Sequence, residues 1–270
     1  MTYYINVAAR MLPFLAARPM STVLIPDEST KEFRFARTAP PGCPERFPTY
    51  RLSSLDRPRL ERYFAVSDTS TLVALIDYGC LSFHPWSSTG VAPLRPTQMV
   101  FNLDPEAIAF REVRNAALFL RELLGACGLS AWVKTSGGHG LHVLVPVTGG
   151  VSFDDTWVMA DTVVRRAIVR EPKLFSRDPR RMRRRGRIYI DISRNASGRV
   201  LIAPYAVATT GLVSALLEWD ELLRPTYPDD FDTERVLARE HTDLENQAAL
   251  LAAEQTLEGR VPSKRRRSLA

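Results

Sequence analysis

The sequence predicts a mixed α/β fold of the α+β kind, with a largely antiparallel central sheet and helices packed behind it. Three observations in the stretch from Gln98 to Pro146 predict this. Met99-Val100-Phe101 is a short apolar run of the length of a buried strand. From Ala109 to Leu124 the apolar residues recur every three or four positions, with Arg111, Glu112, Arg114, Arg121 and Glu122 between them, as in a helix with one buried face. Two more apolar runs follow, Ala131–Lys134 and Leu141–Val147, joined by the glycine-rich Thr135-Ser136-Gly137-Gly138-His139-Gly140.

Taken in order, Thr2 to Arg18 reads as an amphipathic helix with Ile5, Leu12 and Leu15 on one side and a kink at Pro13. Ser21–Ile25 and the alternating Glu32–Arg37 read as strands. Four prolines between Ala39 and Pro48 mark a loop. Thr49–Leu52 reads as a short strand, Arg57–Phe64 and Ser70–Gly79 as short helices, and Cys80–Phe83 as a strand handing over to His84-Pro85-Trp86. After a loop over Ser87–Thr97 comes the organising stretch, whose helix is expected to open at Pro105-Glu106. Asp154–Val169 reads as a helix with acids in its first turn, where the helix dipole favours them. A basic loop leads into strand Arg187–Ile192, and Val200–Ala203 reads as another strand. Trp219–Leu222, Asp232–Glu240 and Asp243–Leu257 read as helical.

Bulk properties narrow the function classes. The chain has 270 residues, 45% hydrophobic and 24% charged, enough for one large domain or two small ones. No apolar run approaches membrane-spanning length, and the N-terminus lacks the pattern of a signal peptide. Cys43, Cys80 and Cys127 are far apart, which fits a reducing compartment and argues against a zinc site. A cytoplasmic, nucleoid-associated protein is expected. The net charge of +6 is uneven. Arg170 to Arg187 carries +7, the tail from Arg260 adds five basic residues, and the remainder is −6. Charge gathered in this way suits a polyanionic partner, with Arg180, Arg181, Arg183, Arg185 and Arg187 as candidates for DNA contact.

The chemistry converges on three segments. Asn102 and Asp104 are two apart at a strand end, so both face one side of a sheet. Asp191 points away from Ile188, Ile190 and Ile192 on another strand. The segment from Ser136 to His142 combines glycine backbone with hydroxyl and imidazole groups, which suits a triphosphate. Oxygen ligands without cysteine favour magnesium or manganese, two of which can clamp an in-line phosphoryl displacement.

These residues resemble the polymerase domain of bacterial ligase D, the nonhomologous end-joining branch of the archaeo-eukaryotic primase superfamily. The likeness runs from Tyr3-Tyr4 to about Leu222. It is carried by Met11-Leu12-Pro13 with Arg18-Pro19, Gly79-Cys80 through His84-Pro85-Trp86, Val100–Pro105, Lys134–His142, Asp191 with Arg194-Asn195, Ala203-Pro204-Tyr205 and Trp219–Leu222. The resemblance implies a primase-like fold with an RRM-like antiparallel catalytic sheet. It implies a polymerase domain over residues 1–225, divided into an N-terminal subdomain (1–97) and a catalytic core (98–225). A helical extension (226–257) and a disordered basic tail (258–270) would follow. It also implies nucleotide addition to primers or broken DNA ends, from ribo- or deoxyribonucleoside triphosphates, with manganese or magnesium. The metal ligands fall on Asn102, Asp104 and Asp191. The nucleotide contacts fall on Ser136, His139, His142, His84 and Arg184, with a base-stacking platform at Phe33 or Phe35.

Several positions depart from the family pattern. Asn102 stands for an Asp, His139 for a Lys common in the family, Ala208 for an Arg, and Leu24 for a basic residue. The basic segment that precedes the tyrosines in that family is expected to be missing. So are the ligase and nuclease modules, which leaves a separate ligase and an end-binding protein as expected partners. Two main readings stay open: a metal-dependent nucleotidyltransferase, and a weakened or inactive polymerase-like module that binds DNA ends or nucleotides. A metal-dependent phosphohydrolase is a third, for which the acids near the site are too few.

Overall fold

The computed structural model describes residues 1–25, 32–39, 43–54, 57–148, 150–239 and 257. Helix α1 (Thr2–Leu15) buries Tyr4, Val7, Ala8, Met11, Phe14 and Leu15. Of the expected apolar side, Leu15 is buried and Leu12 packs on the core, while Ile5 is about half exposed. The paired tyrosines tie α1 to the body. The Tyr3 hydroxyl donates to Tyr205 O at 2.9 Å, while the Tyr4 hydroxyl donates to Leu81 O and accepts from the Val207 N–H.

The first sheet contains β1 (Met20–Leu24), β2 (Arg34–Ala36), β3 (Thr49–Ser54) and β4 (Arg57–Phe64). After α2 (Thr69–Asp77), capped by the Asp68 side chain, β5 (Cys80–Pro85) completes it. Buried β1 is central. It pairs with β5 along one edge and with β2 and β4 along the other. Arg57–Phe64 is thus a strand, where a helix was expected. Its charged residues suit a helix by propensity, but no apolar stripe at helical spacing exists to bury. Leu60 stays exposed, and the segment instead satisfies its backbone in a hairpin with β3.

The second sheet follows the order β11-β7-β8-β6-β10-β9. Its strands are β6 (Gln98–Asp104), β7 (Trp132–Thr135), β8 (Leu141–Pro146), β9 (Phe175–Ser176), β10 (Ile188–Asp191) and β11 (Leu216–Leu217). All pairings are antiparallel except β9 with β10. Helices α3 (Phe110–Gly125) and α4 (Phe153–Arg170) cover one face. The residues beneath them, Met99, Phe101, Leu103, Leu141, Val143, Val145, Ile188 and Ile190, are all buried. A capping box between Ser152 and Asp155 starts α4. The antiparallel sheet with helices behind matches the expected α+β class.

Local differences have physical causes. Helix α3 starts at Phe110, because residues after Pro105 form a turn in which Ala107 takes φ +47°. The basic stretch is not wholly a loop, since it holds β9 and one helical turn, α5 (Arg181–Arg184). Val200–Ala203 is extended along β5 but bonds to it only at Pro85 O and Phe83 O, too few contacts for a strand. The buried Asn195 explains how β6 continues past the end of β10. Its side-chain amide accepts from Val100 N–H at 2.8 Å and donates to Val100 O at 2.7 Å, standing in for a strand partner.

The two sheets lie on either side of residues 86–97, yet one apolar core runs through both. Two short 3₁₀ turns (Trp219–Leu223, Pro228–Phe231) and α6 (Thr233–Ala238) follow. Phe231, Val236 and Leu257 enter that same core, so this part of the expected extension packs on the body. The remainder of the expected helix over 243–257 and the tail over 258–270 lie outside the described residues.

Candidate active site

The helix-free face of the second sheet carries the chemistry. Residues directly opposite on antiparallel strands share a face. The register places Asp191 opposite Asn102, Asn102 opposite His142, and His142 opposite Lys134. One row across four strands therefore reads Asp191, Asn102, His142, Lys134. One step further along β6, Asp104 lies opposite Tyr189 on the same face. Asp104 and Asp191 are thus diagonal neighbours, a relation with a typical spacing of about 7–8 Å. The three predicted ligand positions, distant in sequence, meet on one surface. Asp191 accepts the Ser193 N–H at 2.8 Å. Burial, together with the Asp191 charge, raises the Tyr189 hydroxyl above its ordinary pKa.

Asp104 is held from behind. Buried Arg184 donates to Asp104 Oδ2 at 2.8 Å and to the carbonyls of Asp178 and Pro179. Its guanidinium lies 4.8 Å from the Tyr189 ring centroid. Arg184, expected beside a triphosphate, is here an ion-pair partner of a candidate metal ligand.

The glycine-rich loop lies against the exit of β6. The Ser136 hydroxyl accepts from Gly140 N–H at 3.1 Å. Gly140 is required by close approach, because a Cβ there would sit 2.5 Å from Leu103 O. Gly137 takes φ +75° and abuts Ala208. The loop thereby presents Ser136 and the exposed His139 over the sheet, beside His142.

Two hollows of about 440 and 650 Å³ share Asn102, Ser136 and His142, and form the lobes of one cleft. Phe35, Arg37, His84 and Arg194 line the first lobe, and Asp104, Glu106, His139 and Arg181 line the second. His84 meets Phe35 edge-on at 5.3 Å and hydrogen-bonds Ser82 at 3.0 Å. Phe33 is exposed and lines neither lobe, so Phe35 is the aromatic that reaches the cleft. Burial, with Lys134 and Arg194 nearby, pushes His84 down to about 3 and His142 well below the usual imidazole range. Both rings are neutral at pH 7.

Lys134, Arg37 and Arg194 were not among the expected site residues. The signal for Lys134 was a charged residue inside an otherwise apolar strand. It is fully buried, with its pKa pulled well down by burial, and reaches His142 Nδ1 at 2.8 Å and Ser214 Oγ at 2.5 Å. Among the expected DNA contacts, Arg180, Arg181, Arg183 and Arg185 are exposed. Arg187 differs, because its guanidinium bonds Arg184 O, Pro172 O and Arg183 O and serves the local backbone.

Among the described residues, no three Asp, Glu, His or Cys side chains gather into a metal cage. The available donors are the Asp104 and Asp191 carboxylates and the Asn102 amide oxygen. This all-oxygen set fits a hard divalent ion, magnesium or manganese. Its negative charge is low, because Asn102 is neutral and Arg184 offsets Asp104.

A family profile described as "LigD, primase-polymerase domain" matches residues 1–246. The "Bifunctional non-homologous end joining protein LigD" of Bacillus subtilis is 27% identical over 241 residues, 88% of this chain and 38% of its own length. The "Multifunctional non-homologous end joining protein LigD" of Pseudomonas aeruginosa is 30% identical over 210 residues, 76% of this chain and 24% of its own length. The chain thus spans well under half of these relatives. Among solved structures, "Polymerase Domain from Mycobacterium tuberculosis Ligase D in complex with DNA" superposes with a TM-score of 0.77 at 26% identity, covering 88% of this chain and 86% of that one.

Proposed function

Because this chain belongs to the LigD primase-polymerase domain family, we propose that it is a nucleotidyltransferase that extends a primer or a broken DNA end during nonhomologous end joining. The observation that carries this reading is the shared face of Asp191, Asn102, His142 and Asp104, with Ser136 above it. In the reaction a 3′-hydroxyl oxygen bonds to the α-phosphorus of a nucleoside triphosphate, pyrophosphate departs, and the hydroxyl gives up its proton.

Asp104, Asp191 and the Asn102 carbonyl oxygen would hold the divalent ion. When bound, that ion neutralises charge on the phosphates and lowers the barrier to displacement. Asp191, the carboxylate not paired with Arg184, takes the hydroxyl proton. Ser136 and the neutral His142 donate hydrogen bonds to phosphate oxygens, and His139 and Arg181 bring further donors to the same lobe. Phe35 and His84 receive the base in the other lobe. The exposed arginines 180, 181, 183 and 185 meet the DNA backbone. A ligase that seals the extended end and a protein that holds the ends are the partners such a reaction needs.

Asn102 favours a second reading, a module that binds DNA ends or nucleotides without turnover. Primer extension with manganese separates the two. The first reading expects product from this chain, loss of product in Asp104→Asn, and a rate gain in Asn102→Asp. The gain should be about 10²-fold, the scale on which a removed electrostatic group slows a reaction. No product from either this chain or Asn102→Asp would overturn it and favour the binding module.

A further inference from the structure

Beyond the cleft, a separate cavity of about 260 Å³ opens where the C-terminus of α1 meets the start of β6. Phe14, Trp86, Leu144 and Leu201 form its apolar walls, and the Arg18 guanidinium lines it. Arg18 is largely enclosed. It donates to Trp86 O at 3.0 Å and, among the described residues, pairs with no acid. No Asp or Glu among the described residues lines the cavity, and the other polar side chains there include the neutral Thr97, Gln98 and Thr148. Trp86, 1% exposed, has an indole N–H with no acceptor among the described residues.

A guanidinium offers five donors, and taking one out of water without a counter-charge is costly. Arg18 keeps its charge all the same, since burial lowers its pKa only to about 10. The cavity thus carries a cation at Arg18, has apolar walls interrupted by Thr97, Gln98 and Thr148, and lies just below the size range of small-molecule sites.

We propose that this cavity binds a small organic oxyanion, a carboxylate or phosphate carried on a single flat apolar ring, with its head on Arg18 and its ring against Trp86 and Phe14. The site is distinct from the cleft and does not rest on the polymerase reading. It shares a wall with the cleft, because Leu201 and Ile202 line both, and Lys134 lines the cavity while its Nζ reaches His142.

The test uses the intact chain with benzoate and inorganic phosphate as separate probes, read by the Trp86 indole resonance in ¹H–¹⁵N spectra and assigned with Trp86→Phe. Benzoate is expected to shift that resonance saturably, and phosphate more weakly. Arg18→Met is expected to weaken benzoate about tenfold or more, the size of one lost charge-assisted pair. Should Arg18→Met fail to fold, Thr148→Glu supplies a carboxylate inside the same cavity and is expected to suppress binding. A response to phosphate but not benzoate overturns the ring assignment. Absence of a saturable shift with either probe, or unchanged benzoate affinity in the folded variant, overturns the site. Primer extension reports the cleft independently of all these outcomes.

Discussion

Lys134 Nζ lies 2.8 Å from His142 Nδ1, and both side chains are buried. The Ser214 hydroxyl donates to Thr135 O and so accepts from Lys134. Where Nζ donates an N–H to Nδ1, the ring proton sits on Nε2, available to an oxyanion. The lysine thus holds the histidine ring by a direct contact.

Lys134→Met should free the His142 ring from that contact. We expect the nucleotide KM to rise about tenfold with a smaller change in kcat, and folding stability to fall by about 1–3 kcal/mol as Ser214 and Thr135 O lose a donor. Steady-state kinetics with varied nucleotide and a urea melt check both parts. An unchanged KM would reduce Lys134 to a structural role.

Acid should unfold the protein through its buried histidines. In the unfolded chain His84 takes a proton near pH 6.5, but in the fold it does so only near 3. The unfolded state therefore binds more protons across that window. The stability from keeping the ring neutral is complete above about pH 6.5 and is lost as pH falls, by about 1.4 kcal/mol per unit. His84→Asn should remove about 2 kcal/mol from the stability difference between pH 7.5 and 5, measured by urea denaturation. His142 adds a loss of the same sign.

DNA binding should depend on salt through the exposed arginines around α5. Replacing Arg183 and Arg185 together by Gln is expected to lower the slope of log affinity against log salt by about 2, roughly 0.9 per lost phosphate contact. Fluorescence anisotropy with a duplex end at several salt concentrations measures it. An unchanged slope would place the DNA elsewhere.

The core sheet and the carboxylate positions were legible in the sequence because local periodicity specifies them. Alternation put Asn102 and Asp104 on one face, and a helical stripe marked α3. What local pattern cannot carry is pairing between distant segments. That Asp191 lies opposite Asn102 follows from strand register, which the whole sheet sets. Arg184 was legible as charge, but its partner Asp104 is 80 residues away in sequence. No local pattern marks Lys134 as buried, since a strand lysine usually faces water; its contacts with His142, Ser214 and Thr135 O make the burial tolerable. Arg57–Phe64 misled through propensity, which tertiary pairing with β3 overrode.

The most direct test is a crystal structure of this chain with manganese and a non-hydrolysable nucleoside triphosphate. We predict anomalous manganese density between Asp104 and Asp191, with the triphosphate oxygens within hydrogen-bonding distance of Ser136 and His142. Manganese and nucleotide bound away from that face would contradict the account.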